Sequence, residues 1–322
     1  MARILTGVQS TGTPHLGNLL GAILPAIELT KQPANDSFLF IANLHTLTQI
    51  KDKTIMSENT YSTAATWLAC GLDPEKTTFY RQSDVAMATE LMWHLMCFFP
   101  YQRLTLAHGF KDKADRLDDV NAGLFSYPIL MAADILLYQA EFVPVGKDQL
   151  QHIEITRDVA SRFNHQMGEV FVLPEAVTSD ETKIIPGTDG EKMSKSRNNF
   201  INIFLPEKEL KKQVMSIQTD SKTLEETKDP DTCNVFRLFE LVAPKEEIEL
   251  MRKNYQQGGY GYGHAKTALY ETLLQRFEVE RKRYNEFMDN PELIDKALKI
   301  GADKASKVAA ETLSKVRSVL GY

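Results

Sequence analysis

Thr6-Gly7-Val8-Gln9-Ser10-Thr11-Gly12-Thr13-Pro14-His15-Leu16-Gly17-Asn18-Leu19-Leu20-Gly21-Ala22 starts on the last residue of the apolar run Ile4-Leu5-Thr6. The run reads as a strand. Gly7 and Gly12 permit a sharp turn, Pro14 suits the first turn of a helix, and the helix continues through Leu19, Leu20 and Ile23. A strand, a tight turn and a helix start in succession aim free backbone N–H groups and a partial positive charge at an anion. His15 adds a hydrogen-bond donor on the same turn, and Gly17, lacking a side chain, lets a flat ring lie against the helix. The segment contains neither Gly-x-x-x-x-Gly-Lys-Ser/Thr nor the dinucleotide fingerprint Gly-x-Gly-x-x-Gly. Taken alone, it suits an ordinary βα turn as well as a phosphate site.

The alternation continues outward from it. Phe38-Leu39-Phe40-Ile41-Ala42, Thr78-Phe79-Tyr80-Arg81 and Phe142-Val143-Pro144-Val145 read as further strands. Between them, Tyr61 to Gly71 reads as a helix stopped at glycine before the turn Asp73-Pro74, and Leu130 to Tyr138 as a nearly all-apolar, buried helix. Such alternation defines a parallel sheet with helices on both faces, in which ligands collect beyond the carboxyl ends of the strands. From Pro206 onward strand-like runs vanish. Glu207 to Ile217, Asn234 to Val242, Lys245 to Tyr255, Ala265 to Met288, Pro291 to Ile300 and Ala302 to Leu320 carry helical periodicity, and Gly258 to Gly263 separates two of them. The expected fold is therefore α/β: a Rossmann-like catalytic domain over 1–200, then a helical domain over 201–322 whose last helices pack back on the first.

The chain has 322 residues, 43% hydrophobic and 25% charged, enough to bury a sizeable core. Net charge is −6, so a nucleic acid partner would need a local basic surface. Cys70, Cys97 and Cys233 are odd in number and widely spaced, with no Cys-x-x-Cys pair; free, mostly buried thiols and no bound metal are expected. No apolar run of membrane-spanning length and no signal peptide is read, which makes the cytoplasm the expected compartment.

The second chemical segment is Ile184-Ile185-Pro186-Gly187-Thr188-Asp189-Gly190-Glu191-Lys192-Met193-Ser194-Lys195-Ser196-Arg197-Asn198-Asn199. Gly187 and Gly190 flank a polar stretch with little regular propensity, as a mobile loop requires. Lys192 and Lys195, each with a serine close behind, put two ammonium groups and two hydroxyls on one short loop, which suits a triphosphate.

A histidine-glycine helix start at the front of the chain followed, after the sheet, by Lys192-Met193-Ser194-Lys195-Ser196 resembles the class I aminoacyl-tRNA synthetases. The pentapeptide matches that family's signature at every position. The first motif ends in Asn18 where a second histidine is usual, leaving one imidazole fewer at the site. Within the class, the chain is most similar to the tryptophanyl enzymes over nearly its whole length, through Gly7 to Ala22, Ala122 to Tyr138, Val143 to His152 and the lysine loop. The tyrosyl enzymes are the nearest relatives and share the architecture.

Asp134 lies inside Leu130-Met131-Ala132-Ala133-Asp134-Ile135-Leu136-Leu137, where a carboxylate is costly to bury unless something donates to it. An indole offers one N–H and apolar surface elsewhere, so one acceptor walled by Met131 and Tyr127 is complementary to it; a site of this kind rejects an isostere lacking the N–H by roughly 10⁴ or more. A backbone group or a lysine would also satisfy the carboxylate, and a phenol could donate to it as well. The motif match favours tryptophan, and in the tryptophanyl family the matching aspartate contacts the indole nitrogen.

The resemblance implies L-tryptophan, ATP carrying Mg²⁺, and tRNA(Trp) as partners, and a homodimer, for which apolar faces near Leu91 to Phe99 are contact candidates. It implies His15, Lys192 and Lys195 as the catalytic groups. For ATP it implies Gln9, Ser10, Thr11, Gly17, Asn18, Gly146, Lys147, Asp148, Ile185 and the loop residues Lys192, Met193, Ser194, Lys195 and Ser196. For tryptophan it implies Leu5, Gly7, Gln9, His45, Tyr127, Met131, Asp134, Val143, Val145 and Gln149. His45 reads equally well as a structural histidine, and Arg103 and Lys111 more readily as solvated surface than as phosphate ligands. The implied reaction joins tryptophan to ATP as an adenylate and then charges the tRNA, by positioning and charge stabilisation without a nucleophilic side chain. Three other readings remain open: a tyrosyl enzyme, a small-molecule adenylyltransferase, and a non-catalytic RNA-binding relative.

Overall fold

The computed structural model describes residues 1–106, 120–178 and 185–322; Lys111 lies outside them. Five strands form one parallel sheet in the order β3-β2-β1-β4-β5: β1 Ala2–Val8, β2 Asn35–Ile41, β3 Thr78–Arg81, β4 Phe142–Pro144 and β5 Glu175–Val177. The register runs from Ala2 beside Asn35 to Val8 beside Ile41, with Ile4 beside Phe142 on the other side of β1. The sheet winds one way through β1, β2 and β3 and the other way through β4 and β5, so the reversal opens a crevice between β1 and β4.

Along the chain the helices are α1 Leu16–Asn18, a π-helical turn Leu19–Ile23, α2 Leu24–Thr30, α3 Asn43–Thr46, α4 Lys53–Ala69, α5 Met87–Phe98, α6 Tyr101–Leu104, α7 Ala122–Leu137 and α8 Leu150–Met167. Then follow α9 Glu207–Met215, α10 Asn234–Glu240, α11 Lys245–Gln257, α12 Tyr262–Arg276, α13 Glu278–Asp289 and α14 Pro291–Leu320. The π-turn, in which Leu24 N–H reaches back to Leu19, directly precedes Pro25. Proline has no N–H for the carbonyl four residues back and crowds it, and the wider turn absorbs that misfit. No helix among the described residues is long and apolar enough to cross a membrane.

Strand periodicity sorts the core into two layers. Leu39 and Ile41 face one cluster with Leu16, Leu19, Trp67, Phe236, Leu269 and Leu298. Phe38 and Phe40 face the other with Leu91, Leu136, Phe163, Ala305 and Leu313. Both layers draw on residues before and after position 200.

The structure redraws several expected boundaries. The expected helix from Ala265 to Met288 is two, because Phe277 leaves helical geometry at φ −108°, ψ 21°. The two helices expected on either side of Gly301 are one, α14. Gly301 is there for close approach: a Cβ on it would lie 1.8 Å from the Phe79 carbonyl oxygen. The helix backbone thus seals β3, which among the described residues is an edge strand paired with β2. The cysteines are free, but only Cys233 is buried; Cys97 is exposed on α5 and Cys70 is intermediate.

Candidate active site

Two cavities open at the carboxyl ends of the strands. The first, of about 590 Å³, occupies the β1/β4 crevice. β1 and the turn after it contribute Leu5, Gly7 and Gln9, α3 contributes His45, and α7 contributes Tyr127, Met131 and Asp134; Val143, Val145 and Gln149 close it from β4. Every residue expected at the tryptophan site is thus brought together. Phe40, Ala42, Ile135 and His152 also line it and were not foreseen. Gly7 is required sterically, because a Cβ there would stand 2.7 Å from the Phe40 ring.

Asp134 is 2% exposed at the floor of this cavity. Its Oδ2 lies 3.0 Å from His45 Nε2. The Gln82 side-chain amide donates to Oδ1 at 2.9 Å and to Oδ2 at 2.7 Å. Burial raises the Asp134 pKa, while the hydrogen bonds from His45 and Gln82 pull it back. The buried carboxylate therefore has protein donors, of which His45 is one. On the same helix as Asp134 the Tyr127 hydroxyl meets His152 Nε2 at 3.0 Å. Gln82 escaped the sequence reading. Its only signal was position, at the end of β3 where ligand-facing residues gather.

The second cavity, of about 870 Å³, lies between the β1–α1 turn and the lysine loop. Gln9, Thr11, His15, Gly17, Asn18, Ile185, Lys192, Met193, Ser194, Lys195 and Ser196 line it. Gly146 and Asp148 line the first cavity, and Lys147 is exposed outside both. The Ser10 hydroxyl is fully buried against Thr46 at 3.2 Å and points away from the cleft. Arg103 pairs with Asp158, away from either cavity. Gly7 and Gln9 line both cavities, so the two meet at the end of β1.

Asn18 acquires a role from the geometry. The His15 N–H donates to Asn18 Oδ1 at 3.1 Å and the Asn18 N–H donates to His15 Nδ1 at 3.2 Å, a reciprocal cap at the start of α1. With Nδ1 accepting, the imidazole hydrogen sits on Nε2. Burial, and then the nearby Lys195 ammonium, lower the His15 pKa to about 4, so the ring is neutral near pH 7. Gly17 N–H points to the Met193 sulfur at 3.2 Å, and a Cβ on Gly17 would stand 3.0 Å from the His15 ring.

The lysine loop is more organised than its composition suggests. Pro186 and Lys192 form an antiparallel bridge, and Met193 N–H reaches the Ile185 carbonyl at 2.9 Å. Asn199 staples the interior: its Oδ1 accepts from Ser194 N–H at 2.7 Å, while its amide donates to Asp189 at 2.7 Å and to the Lys192 carbonyl at 3.1 Å. Lys195 Nζ donates to the Gly12 carbonyl at 2.7 Å, and burial lowers its pKa to about 8. Lys192 is exposed at the cleft mouth. The cleft presents two lysines, a neutral histidine and backbone N–H groups, a donor set suited to a polyphosphate.

A parallel α/β sheet with a lysine loop facing a histidine-capped helix start defines a class I synthetase. The chain belongs to the family described as tRNA synthetases class I (W and Y), whose model matches residues 1–278. It is 44% identical to the tryptophan–tRNA ligase of Campylobacter jejuni, over 99% of both chains. It is 45% identical to that of Bordetella pertussis, over 99% of this chain and 73% of the relative. The structure of the Campylobacter jejuni tryptophanyl-tRNA synthetase complexed with ADP and tryptophan superposes with a TM-score of 0.97 at 44% identity, covering 99% of this chain and all of that one.

Proposed function

We propose that the chain is a tryptophan–tRNA ligase that activates L-tryptophan with ATP and transfers it to tRNA(Trp). The observation that carries this reading is the meeting of two cavities at Gly7 and Gln9, one floored by a buried carboxylate and the other walled by lysines. An indole in the first directs its N–H to Asp134 and leaves the amino-acid carboxylate toward the second, where the α-phosphate of ATP lies. The carboxylate oxygen attacks the α-phosphorus, the bond to the bridging oxygen breaks, and pyrophosphate leaves with that electron pair. Lys192, Lys195 and the Nε2–H of His15 stabilise the charge that accumulates on the phosphates. Mg²⁺ travels with the triphosphate and neutralises part of its charge. Asp148 and Gly146, which line the first cavity, serve the ribose. The tRNA terminal hydroxyl then attacks the acyl carbon, releasing AMP.

The 201–322 region serves the tRNA, through charged helical faces that include Lys208, Lys211 and Lys212 on α9. The enzyme works as a homodimer in the cytoplasm, with the exposed side of α5 around Trp93, which is 65% exposed, as contact surface. The test is amino-acid-dependent exchange of pyrophosphate into ATP across all twenty amino acids. Exchange with tryptophan alone is expected. Exchange with tyrosine would assign the tyrosyl activity, and no exchange would assign a non-catalytic relative.

A further inference from the structure

We infer that Gln82, a residue outside the expected site, is a positioning residue that sets the preference for an indole N–H by holding the Asp134 carboxylate with one acceptor site open. The inference rests on the reading of tryptophan as substrate. Gln82 is 1% exposed and lies in the short turn that follows β3. Its amide cannot rotate freely, because its Oε1 accepts the Leu44 backbone N–H at 3.1 Å. That bond fixes which end faces Asp134: the NH₂ group spans both carboxylate oxygens, at 2.9 Å and 2.7 Å.

The count of lone pairs then decides what a substrate finds. Oδ2 accepts from both His45 and Gln82 and is saturated. Among the described residues Oδ1 accepts from Gln82 alone, at the longer distance, and keeps one lone-pair direction for a further donor. Asp134 lines the cavity, so that direction is available to a ligand. Gln82 therefore does two things at once. It helps keep the buried carboxylate in its accepting form, and it locks the carboxylate plane through a bond that is itself anchored to the main chain of α3. Without that clamp the carboxylate loses a fixed amide donor and turns toward His45, which faces it from α3.

The clamp acts on recognition of one atom, the indole nitrogen, so its effect separates from that on general packing. The experiment measures pyrophosphate exchange with tryptophan and with β-(3-benzothienyl)alanine, in which sulfur replaces the N–H, for the unaltered chain and for Gln82→Met and Gln82→Glu. In Gln82→Met, near-isosteric and apolar, KM for tryptophan is expected to rise by roughly tenfold or more, as befits a hydrogen bond to a charged group. kcat should fall by a smaller factor, the KM for ATP should stay within about twofold as a check on folding, and the preference for tryptophan over the sulfur analogue should shrink about tenfold. Gln82→Glu sets a second carboxylate against Asp134 and should lose tryptophan binding further. Equal losses for both amino acids would mark Gln82 as packing alone and overturn the inference, as would an unchanged preference. If the unaltered chain shows no tryptophan-dependent exchange, the functional reading falls and the inference with it; normal exchange with an unchanged preference in Gln82→Met overturns the inference alone.

Discussion

Lys195 Nζ sits 2.7 Å from the Gly12 carbonyl oxygen, so a lysine of the loop is docked on the turn that follows β1. Gly12 holds φ +115°, and a Cβ on it would lie 3.3 Å from that ammonium. On the proposed reading, ATP entering the cleft would exchange a neutral carbonyl for phosphate oxygens as the partner of Lys195, and the gain in charge pairing would favour the liganded loop. Partial burial lowers the Lys195 pKa to about 8, so the charged form is lost as pH rises through that value. Because kcat/KM for ATP reports the free enzyme, it should fall above about pH 8. Lys195→Arg, whose guanidinium stays protonated, should move that limb upward. His15 titrates near 4 and contributes no acid limb between about pH 5 and 8. A pH profile of kcat/KM with an alkaline limb unmoved in Lys195→Arg would remove Lys195 from the assignment. Lys195→Ala should lower the activation rate by a larger factor than it weakens tryptophan binding, and equal losses would sink the transition-state role.

Asn18 and His15 hold each other through two hydrogen bonds of 3.1 and 3.2 Å. Asn18→Ala removes the side-chain acceptor that fixes the His15 backbone N–H and so loosens the aim of the ring, while the Asn18 backbone N–H that keeps the imidazole hydrogen on Nε2 remains. Adenylate formation should slow by about tenfold, with tryptophan affinity unchanged, since a misdirected donor forfeits part of its stabilisation of the phosphates. Asn18→Asp retains the acceptor and should recover most of the rate. Nitrogen chemical shifts of His15 should keep the Nε2–H form in Asn18→Ala, and an unchanged rate of adenylate formation in that variant would refute the orienting role.

The sheet was legible where burial leaves a plain mark. Phe38-Leu39-Phe40-Ile41 is apolar without alternation because both of its faces are covered. Asp134 announced itself as a carboxylate in an apolar helix. β5, Glu175–Val177, was not legible: three residues at a sheet edge, two of them exposed, carry no period. Gln82 gave no anomaly, since a neutral amide after a strand is unremarkable until its partner is seen. Ser10 lies in the right segment, but sequence does not say which way a turn hydroxyl points, and this one bonds inward to Thr46. Gly301 was misread because glycine interrupts helices in general, whereas here it serves contact between two backbones.

That contact makes a stability prediction. An alanine Cβ at position 301 would overlap the Phe79 carbonyl oxygen at 1.8 Å and its nitrogen at 2.7 Å, all backbone atoms. A flexible side chain would yield, but a strand held in register by β2 does not. Gly301→Ala should therefore destabilise by about 3 kcal/mol or more, the upper end for overpacking. Gly263, in α12, has nothing within 4 Å of a built Cβ, so Gly263→Ala should be neutral or stabilise by up to about 1 kcal/mol. Urea unfolding of the two variants side by side checks both signs, and equal midpoints would contradict the packing of α14 on β3.

Asp134→Asn tests the floor of the tryptophan cavity with almost no change of shape. The carboxylate accepts from His45 on one oxygen and from the Gln82 NH₂ group on both. An asparagine offers one oxygen and one NH₂, and whichever way it turns, that NH₂ meets a donor. Gln82 cannot flip to relieve the conflict without abandoning the Leu44 N–H bonded to its oxygen. A buried donor is thus left unpaired, and the site loses its charged acceptor for the indole. Each effect is worth about 1–3 kcal/mol, so tryptophan affinity should fall on the order of a hundredfold. The ATP cavity shares only Gly7 and Gln9 with this one, so KM for ATP should hold. Calorimetric titration with tryptophan measures the first quantity and exchange kinetics the second. Retained tryptophan affinity in Asp134→Asn would mean that the indole N–H finds its acceptor elsewhere in the crevice.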